Sequence, residues 1–212
     1  MNINTLKRTQ TSTSSSLSYP SAKAILTFPT TPSLPSALPP NSRCTKFSFS
    51  PGSKFDSFLH FHIEYDEYLY VEKGTINVVL WNQVEKKWDE RVITGGEEEI
   101  RIEKWRPHRW YLDINDAEVV VWERTEPADG EKELFFRNLM SLIGDYEGKP
   151  PFLQVFKIFA DFDNYPIPQV DLALYFRRVI VALTGAIGRV AGLSGYKSKY
   201  EEYTPVGKSK ND

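Results

Sequence analysis

The stretch His60-Phe61-His62-Ile63-Glu64-Tyr65-Asp66-Glu67-Tyr68-Leu69-Tyr70-Val71-Glu72-Lys73-Gly74 decides how this chain is read. The chain has three histidines, and two of them stand here, two positions apart. In a β-strand, residues i and i+2 point to the same face, about 6.7 Å apart along the strand. Two imidazoles so placed can close on one ion, since a metal–nitrogen bond is about 2.0–2.1 Å. Glu67 opens an aromatic and β-branched run that reads as the returning strand. Gly74 ends it where a tight reversal needs a positive φ. The third histidine, His108, follows Trp105-Arg106-Pro107 at the start of another strand-like run. His60, His62, Glu67 and His108 together form a mixed nitrogen and oxygen donor set suited to one divalent transition metal, with Fe, Mn, Ni and Zn not distinguished.

The spacing His60-x-His62, four residues, Glu67, six residues, Gly74 resembles the first motif of the cupins. The second cupin motif supplies a histidine after a proline-glycine turn. His108 stands at the matching place, but the residues before it are Glu103-Lys104-Trp105-Arg106-Pro107, and the asparagine of the motif is replaced by Leu112. The resemblance covers roughly residues 45 to 125. The run Trp105 to Tyr111 and the tail from Gly195 to Thr204 also resemble small single-domain cupins encoded in fungal secondary-metabolite clusters. The resemblance implies a cupin jelly-roll β-barrel with C-terminal helices. It also implies a metal-dependent oxidoreductase acting on a polyketide or aromatic intermediate. Two other readings stay open: a non-redox isomerase or cyclase using the metal as a Lewis acid, and a non-catalytic small-molecule-binding cupin. A barrel that keeps its inner polar residues without a metal is the competing account of the cluster.

The rest of the chain fits a single domain with extensions. Of 212 residues, 41% are hydrophobic and 14% aromatic, enough for a packed core. A net charge of −2 is not the footprint of a nucleic-acid binder. Cys44 is the one cysteine, which excludes an internal disulfide and fits a reducing, cytoplasmic setting.

From Thr45 to about Glu126 the apolar period is two. Eight strands are expected: 45–50, 57–62, 67–72, 75–81, 89–94, 98–103, 108–113 and 118–124. Alternation points Phe58, His60 and His62 inward, and likewise Glu67, Leu69 and Val71. Ile76, Val78 and Leu80 form one face, as do His108, Trp110 and Leu112. Val119 and Val121 face opposite to Trp122, with the inner set undecided. Tyr68, Tyr70, Trp105 and Tyr111 are expected outward or at the rim. The cavity so lined is apolar and aromatic around one polar cluster, as small-molecule pockets are.

Residues 1–44 are rich in Ser, Thr and Pro and hold no acid, so a disordered arm is expected, with an organelle-targeting peptide as the alternative. No apolar segment of the kind found in secretory signals follows Lys7-Arg8. After Pro127 the period becomes helical: 131–143, 152–159 and 171–193 read as helices of an extension over 127–193, followed by a tail, 194–212. The third helix is apolar nearly all round. It reads as buried against the barrel or a second subunit, so that a homodimer is allowed for, with an interfacial membrane helix as the alternative. Arg177, Arg178 and Arg189 argue against a membrane span.

Overall fold

The computed structural model describes residues 7–19, 22–29, 34–40, 42–114 and 117–206. Among these, the strands in chain order are β1 (Ser16–Tyr19), β2 (Ala24–Thr27), β3 (Cys44–Phe49), β4 (Phe55–Asp56), β5 (His60–Phe61), β6 (Asp66–Lys73), β7 (Thr75–Asn82), β8 (Lys87–Thr94), β9 (Ile100–Ile102), β10 (His108–Leu112), β11 (Val119–Glu126) and β12 (Tyr165–Pro166). The helices are α1 (Glu131–Asp145), α2 (Phe152–Asp161) and α3 (Arg177–Leu193), the last preceded by a 3₁₀ segment, Asp171–Phe176. One sheet has the order β1-β2-β3-β11-β6-β9. The other runs β12-β5-β10-β7-β8, with β4 pairing β10, and all pairings are antiparallel. The two sheets face each other as an antiparallel jelly roll, with the helices C-terminal to it.

The alternation read from the sequence sets the core. Phe47, Phe49, Leu69, Val71, Val119 and Val121 from the first sheet meet Ile76, Val78, Leu80, Trp110 and Leu112 from the second. The undecided strand is thereby resolved: Val119, Val121 and Glu123 point inward, and Val120 and Trp122 point outward. Gly74 turns β6 into β7 at φ 77°, and a Cβ there would come within 2.7 Å of Glu118 O and Val119 Cγ2. Only glycine accommodates that reversal.

Four expectations need correction. First, the arm holds ordered structure in Ser16–Tyr19 and Ala24–Thr27. β1 and β2 form a hairpin that extends the sheet through β3, with Leu26 opposite Phe47. Its polar composition conceals an alternating face in which Leu17, Ala24, Leu26 and Phe28 all enter the core. Farther along, Leu38 covers the outer face of the sheet over Tyr70, Val120 and Trp122. Tyr70 thus points outward, as expected, but is buried under Leu38. The remaining arm positions, 1–6, 20, 21, 30–33 and 41, lie outside the described residues, as do 207–212 of the tail. Second, Phe58 does not face in. It is 71% exposed, with a φ of 57°, because strand geometry is interrupted between β4 and β5. Third, the segment between the second and third helices is not without strand: it contains β12, which pairs with β5. Fourth, α3 is not buried all round within the chain: Thr184, Gly188 and Ala191 alone are buried along it. Among the described residues no helix is long and apolar enough to cross a membrane.

The hairpin makes a testable demand. Burying a Leu or Phe side chain stabilises by about 1.5–3 kcal/mol, so Leu17, Leu26 and Phe28 contribute about 5–9 kcal/mol together. That is comparable with the whole stability of a domain, about 5–15 kcal/mol. Deleting residues 1–29 is expected to give insoluble protein, or a denaturation midpoint lowered by most of its value. An unchanged midpoint in the truncated chain would show the hairpin to be dispensable.

Candidate metal centre

β5 and β10 lie side by side, with His60 directly opposite His108. His62 follows β5, and Glu67 enters from β6 across the barrel. All four residues are buried, Glu67 completely. Each offers one ligand atom, and these atoms lie within 4.8 Å of one another. The His60 and His108 ring centres are 4.3 Å apart, and those of His60 and His62 5.0 Å.

The ring orientations follow from the backbone. His60 Nδ1 lies 2.8 Å from Phe58 O, His62 Nδ1 2.6 Å from Asp163 O, and His108 Nδ1 2.9 Å from Arg106 O. A carbonyl oxygen only accepts, so each Nδ1 carries the proton and donates. Each Nε2 is then left as a lone pair. Burial pushes the His62 imidazolium down to about 4, and burial with the neighbouring rings holds His60 well below its ordinary value. Burial also works against the Glu67 carboxylate, but the Lys132 ammonium beside it opposes burial, and Glu67 is held well below the usual carboxylate range. Glu67 Oε2 lies 3.0 Å from His62 Nε2, and Glu67 Oε1 lies 3.4 Å from His108 Nε2. Lone pairs thus face a carboxylate with no proton between them. Glu67 Oε1 and His108 Nε2 have no hydrogen-bond partner. Such buried orphans are costly unless a cation sits among them. The group could hold a metal ion, and its donors are the kind that a divalent transition metal takes.

The surrounding residues hold the ligands from outside. The Asp163 carboxylate accepts the Ile63 and Glu64 peptide N–H groups at 3.0 and 2.8 Å, while its own carbonyl takes the His62 Nδ1 proton. The segment between α2 and β12 therefore fixes the His62 ring, as the outer partners of metal-bound histidines do. In the turn before His108, Trp105 adopts φ 65°, its N–H donates to His62 O at 2.6 Å, and its ring stacks on Phe61.

Two charged residues beside the cluster escaped the sequence reading. Lys132 of α1 reaches into the barrel, with Nζ 2.7 Å from both Glu67 Oε2 and Glu123 Oε1. Burial opposes its charge, but the two carboxylates outweigh burial and keep it an ammonium. Burial, then the Glu67 charge, push Glu123 up to about 8, and its Oε2 accepts Trp110 Nε1 at 3.3 Å. A signal for each was present. Glu123 shares the parity of Val119 and Val121. Lys132, Phe135, Phe136 and Leu139 share one side of α1 at helical spacing.

A cavity of about 390 Å³ opens beside the cluster, between the barrel and α1 and α2. His60, Glu123 and Lys132 line it along with Phe47, Phe55, Trp110, Phe135, Phe136 and Phe159. A second space of about 320 Å³ shares Ser57, Phe58, His60, Phe159 and Asn164 with it and continues toward Pro166 and Gln169. Asn164 Oδ1 is buried without a partner.

Neither a scan against protein-family models nor a search of curated proteins finds a match. Solved structures do show a likeness. Oxalate decarboxylase of Lactobacillus farciminis aligns at 15% identity over 52% of this chain and 30% of its own, with a TM-score of 0.38. The capsular polysaccharide assembling protein CapF of Staphylococcus aureus aligns at 16% over 48% of this chain and 26% of its own, with a TM-score of 0.36. The cupin domain of CENP-C from Drosophila melanogaster aligns at 17% over 49% of this chain and 69% of its own, also at 0.36. The chain thus spans less than a third of the oxalate decarboxylase and CapF structures.

The burial of the histidines has a consequence for metal binding. Protons compete with metal for Nε2. An exposed histidine would begin to lose that competition near pH 6.5. His62, held at about 4, binds no proton until the pH nears that value. A histidine whose folded pKa is depressed gives stability that is present above its unfolded value and lost as pH falls through the folded one. The gain in melting temperature from added metal is therefore expected to persist from pH 7.5 to 5.5 and to disappear near pH 4. Melting curves with and without chelator at the three pH values check this. A gain already lost at pH 6 would mean that the rings are open to protons.

Proposed function

We propose that this chain is a metal-dependent cupin enzyme, an oxidoreductase acting on a polyketide or other aromatic intermediate. What carries the reading is one juxtaposition: three imidazole lone pairs and a carboxylate converge on the wall of an aromatic cavity. His60, His62, Glu67 and His108 would hold one divalent transition ion per chain. When bound, that ion supplies Lewis acidity and, for a redox-active metal, an electron-transfer couple.

The chain's own residues supply the remainder. The rings of Phe47, Phe55, Trp110, Phe135, Phe136 and Phe159 favour a flat apolar molecule and keep water from the reacting end. Asn164 Oδ1 offers an acceptor to a substrate hydroxyl. Lys132 Nζ presents positive charge to an enolate or phenolate oxygen. Glu123 Oε1, with its carboxyl near 8, can hold or release a proton around neutral pH. That last feature favours the second reading, a non-redox isomerase or cyclase that moves a proton between two substrate positions. A non-catalytic cupin that only binds a small molecule is the third. The reduced, buried Cys44 suits a cytoplasmic setting.

Elemental analysis of the purified chain tests the first step, with about one ion per chain expected. Oxygen uptake with candidate aromatic polyketides then separates the redox enzyme from the isomerase. Metal-loaded protein that consumes no oxygen yet converts substrate supports the second reading. A chain with no metal and no turnover, which still binds aromatic compounds, supports the third.

A further inference from the structure

α3 and the 3₁₀ segment before it present a face that the rest of the described chain leaves uncovered. Leu172, Phe176, Val179, Leu183, Val190 and Leu193 are between 50% and 90% exposed. With the exposed Ala186 among them, the spacing alternates four and three, so they form one unbroken stripe along the helix. Tyr175, 65% exposed, and the half-buried Ile187 widen the stripe. The other side of the helix is committed. Gly188 lies so close to α2 that a Cβ would stand 2.6 Å from Ala160 Cβ, and Thr184 and Ala191 are buried with it.

Charge says what covers this face. From Leu172 to Tyr200 the sequence holds Arg177, Arg178, Arg189, Lys197 and Lys199 and no Asp or Glu. Arg178 and Arg189 are exposed and have no ion-pair partner among the described residues. Two copies of the chain meeting along this stripe would bring arginines together with no carboxylate on α3 to pair them, whereas helix pairs set their partners by opposite charges beside the seam. A bilayer surface has no such conflict. A wide apolar arc flanked by arginines matches an anionic headgroup layer over acyl chains.

We propose that α3 docks the protein on anionic lipid, lying in the plane of the headgroups with Val179, Leu183 and Val190 toward the acyl chains. The helix does not cross the bilayer, being too short and too charged. Docking there places a chain with an aromatic cavity beside a reservoir of apolar molecules, but the proposal does not depend on the metal or on turnover.

The test is co-sedimentation of the full chain with phosphatidylcholine vesicles, with and without phosphatidylserine. Binding is expected on the phosphatidylserine vesicles, weaker binding on phosphatidylcholine alone, and loss of the difference at high salt. Arg178→Glu and Arg189→Glu should each weaken binding to the anionic vesicles by about fivefold or more. Leu183→Asp and Val179→Asp should each weaken it by about tenfold or more. These positions are exposed, so circular dichroism and metal content should match the unaltered chain and show that each variant folds. Absence of sedimentation with phosphatidylserine vesicles at low salt would overturn the proposal. So would undiminished binding by folded Leu183→Asp. A dimer in sedimentation velocity that Leu183→Asp dissociates, without vesicle binding, would assign the face to a second copy instead.

Discussion

Replacing His62 with alanine is expected to take the bound transition metal from about one ion per chain to near none. The residue supplies one of three nitrogen donors, and its ring is held by Asp163 O at 2.6 Å, so no other side chain can move into its place. His60→Ala, His108→Ala and Glu67→Gln should each act in the same direction. Asp163→Ala tests the outer support. It removes the carboxylate that fixes the Ile63 and Glu64 peptides, and metal affinity should fall about 10- to 100-fold. Phe58→Ala serves as a control, since that side chain is exposed and should leave metal content unchanged. Metal analysis after dialysis against a known free-metal concentration gives each number. The loss should also appear as stability: saturation at 100 times the dissociation constant stabilises by about 2.7 kcal/mol, and the alanine variants should gain none of it. Full metal occupancy in the His60→Ala/His62→Ala double variant would dissolve the assignment and leave the cluster as buried polar packing.

The cluster of His60, His62, Glu67 and His108 was legible because a candidate metal site demands specific residue types at a spacing that strand geometry fixes. His60, His62 and Glu67 stand close in sequence, and the period of two places them together. The barrel was legible for the same reason, from Leu69 and Val71 to Val119 and Val121. What the sequence concealed depends on contacts between distant segments. The hairpin of residues 16–27 looks like a polar arm because only alternate residues are apolar, and its edge pairing with β3 is not written in its composition. Phe58 follows the alternation of its neighbours, yet a backbone break between β4 and β5 turns it to solvent. The apolar run of α3 reads as buried because periodicity reports amphipathic faces, not which of them a neighbour covers. Lys132 is the clearest case. A lysine near the start of a helix is normally solvated, and nothing local announces that Glu67 and Glu123 wait for it inside the barrel.

Lys132→Met should therefore destabilise the metal-free protein far more than the metal-loaded one. In the metal-free chain, Nζ is the ammonium that lies 2.7 Å from both Glu67 Oε2 and Glu123 Oε1. Methionine has a similar unbranched shape and keeps contact with Phe135 and Phe136, so the change is mainly one of charge. Removing one partner from a buried ion pair costs about 3–5 kcal/mol, because the other charge stays buried alone. Here Glu67 would be left as a buried carboxylate beside the Glu123 carboxyl. A bound divalent cation would compensate Glu67 directly, and the penalty should then shrink. Glu123 supplies the second arm. Its carboxyl is already pushed up to about 8, by burial first, and loss of the ammonium can only push it higher. A carboxyl whose folded pKa is raised is most comfortable protonated, so the stability that Lys132→Met loses should be smallest at pH 8 and below and should grow as the pH rises above 8, where Glu123 ionises beside Lys132 in the unaltered chain but stays protonated in the variant. Adding Glu123→Gln to Lys132→Met should restore it at all pH values, since glutamine still offers an acceptor to Trp110 Nε1 without the charge. Chemical denaturation of the three proteins, with chelator and with metal, gives the comparison. If Lys132→Met unfolds at the same denaturant concentration as the unaltered chain when metal is absent, the carboxylates do not need the ammonium. The charge balance drawn for the barrel interior would then be wrong. If the loss is large without metal and small with it, one buried network joins Lys132, Glu67 and the ion, and α1 is as much a part of the metal centre as the barrel strands.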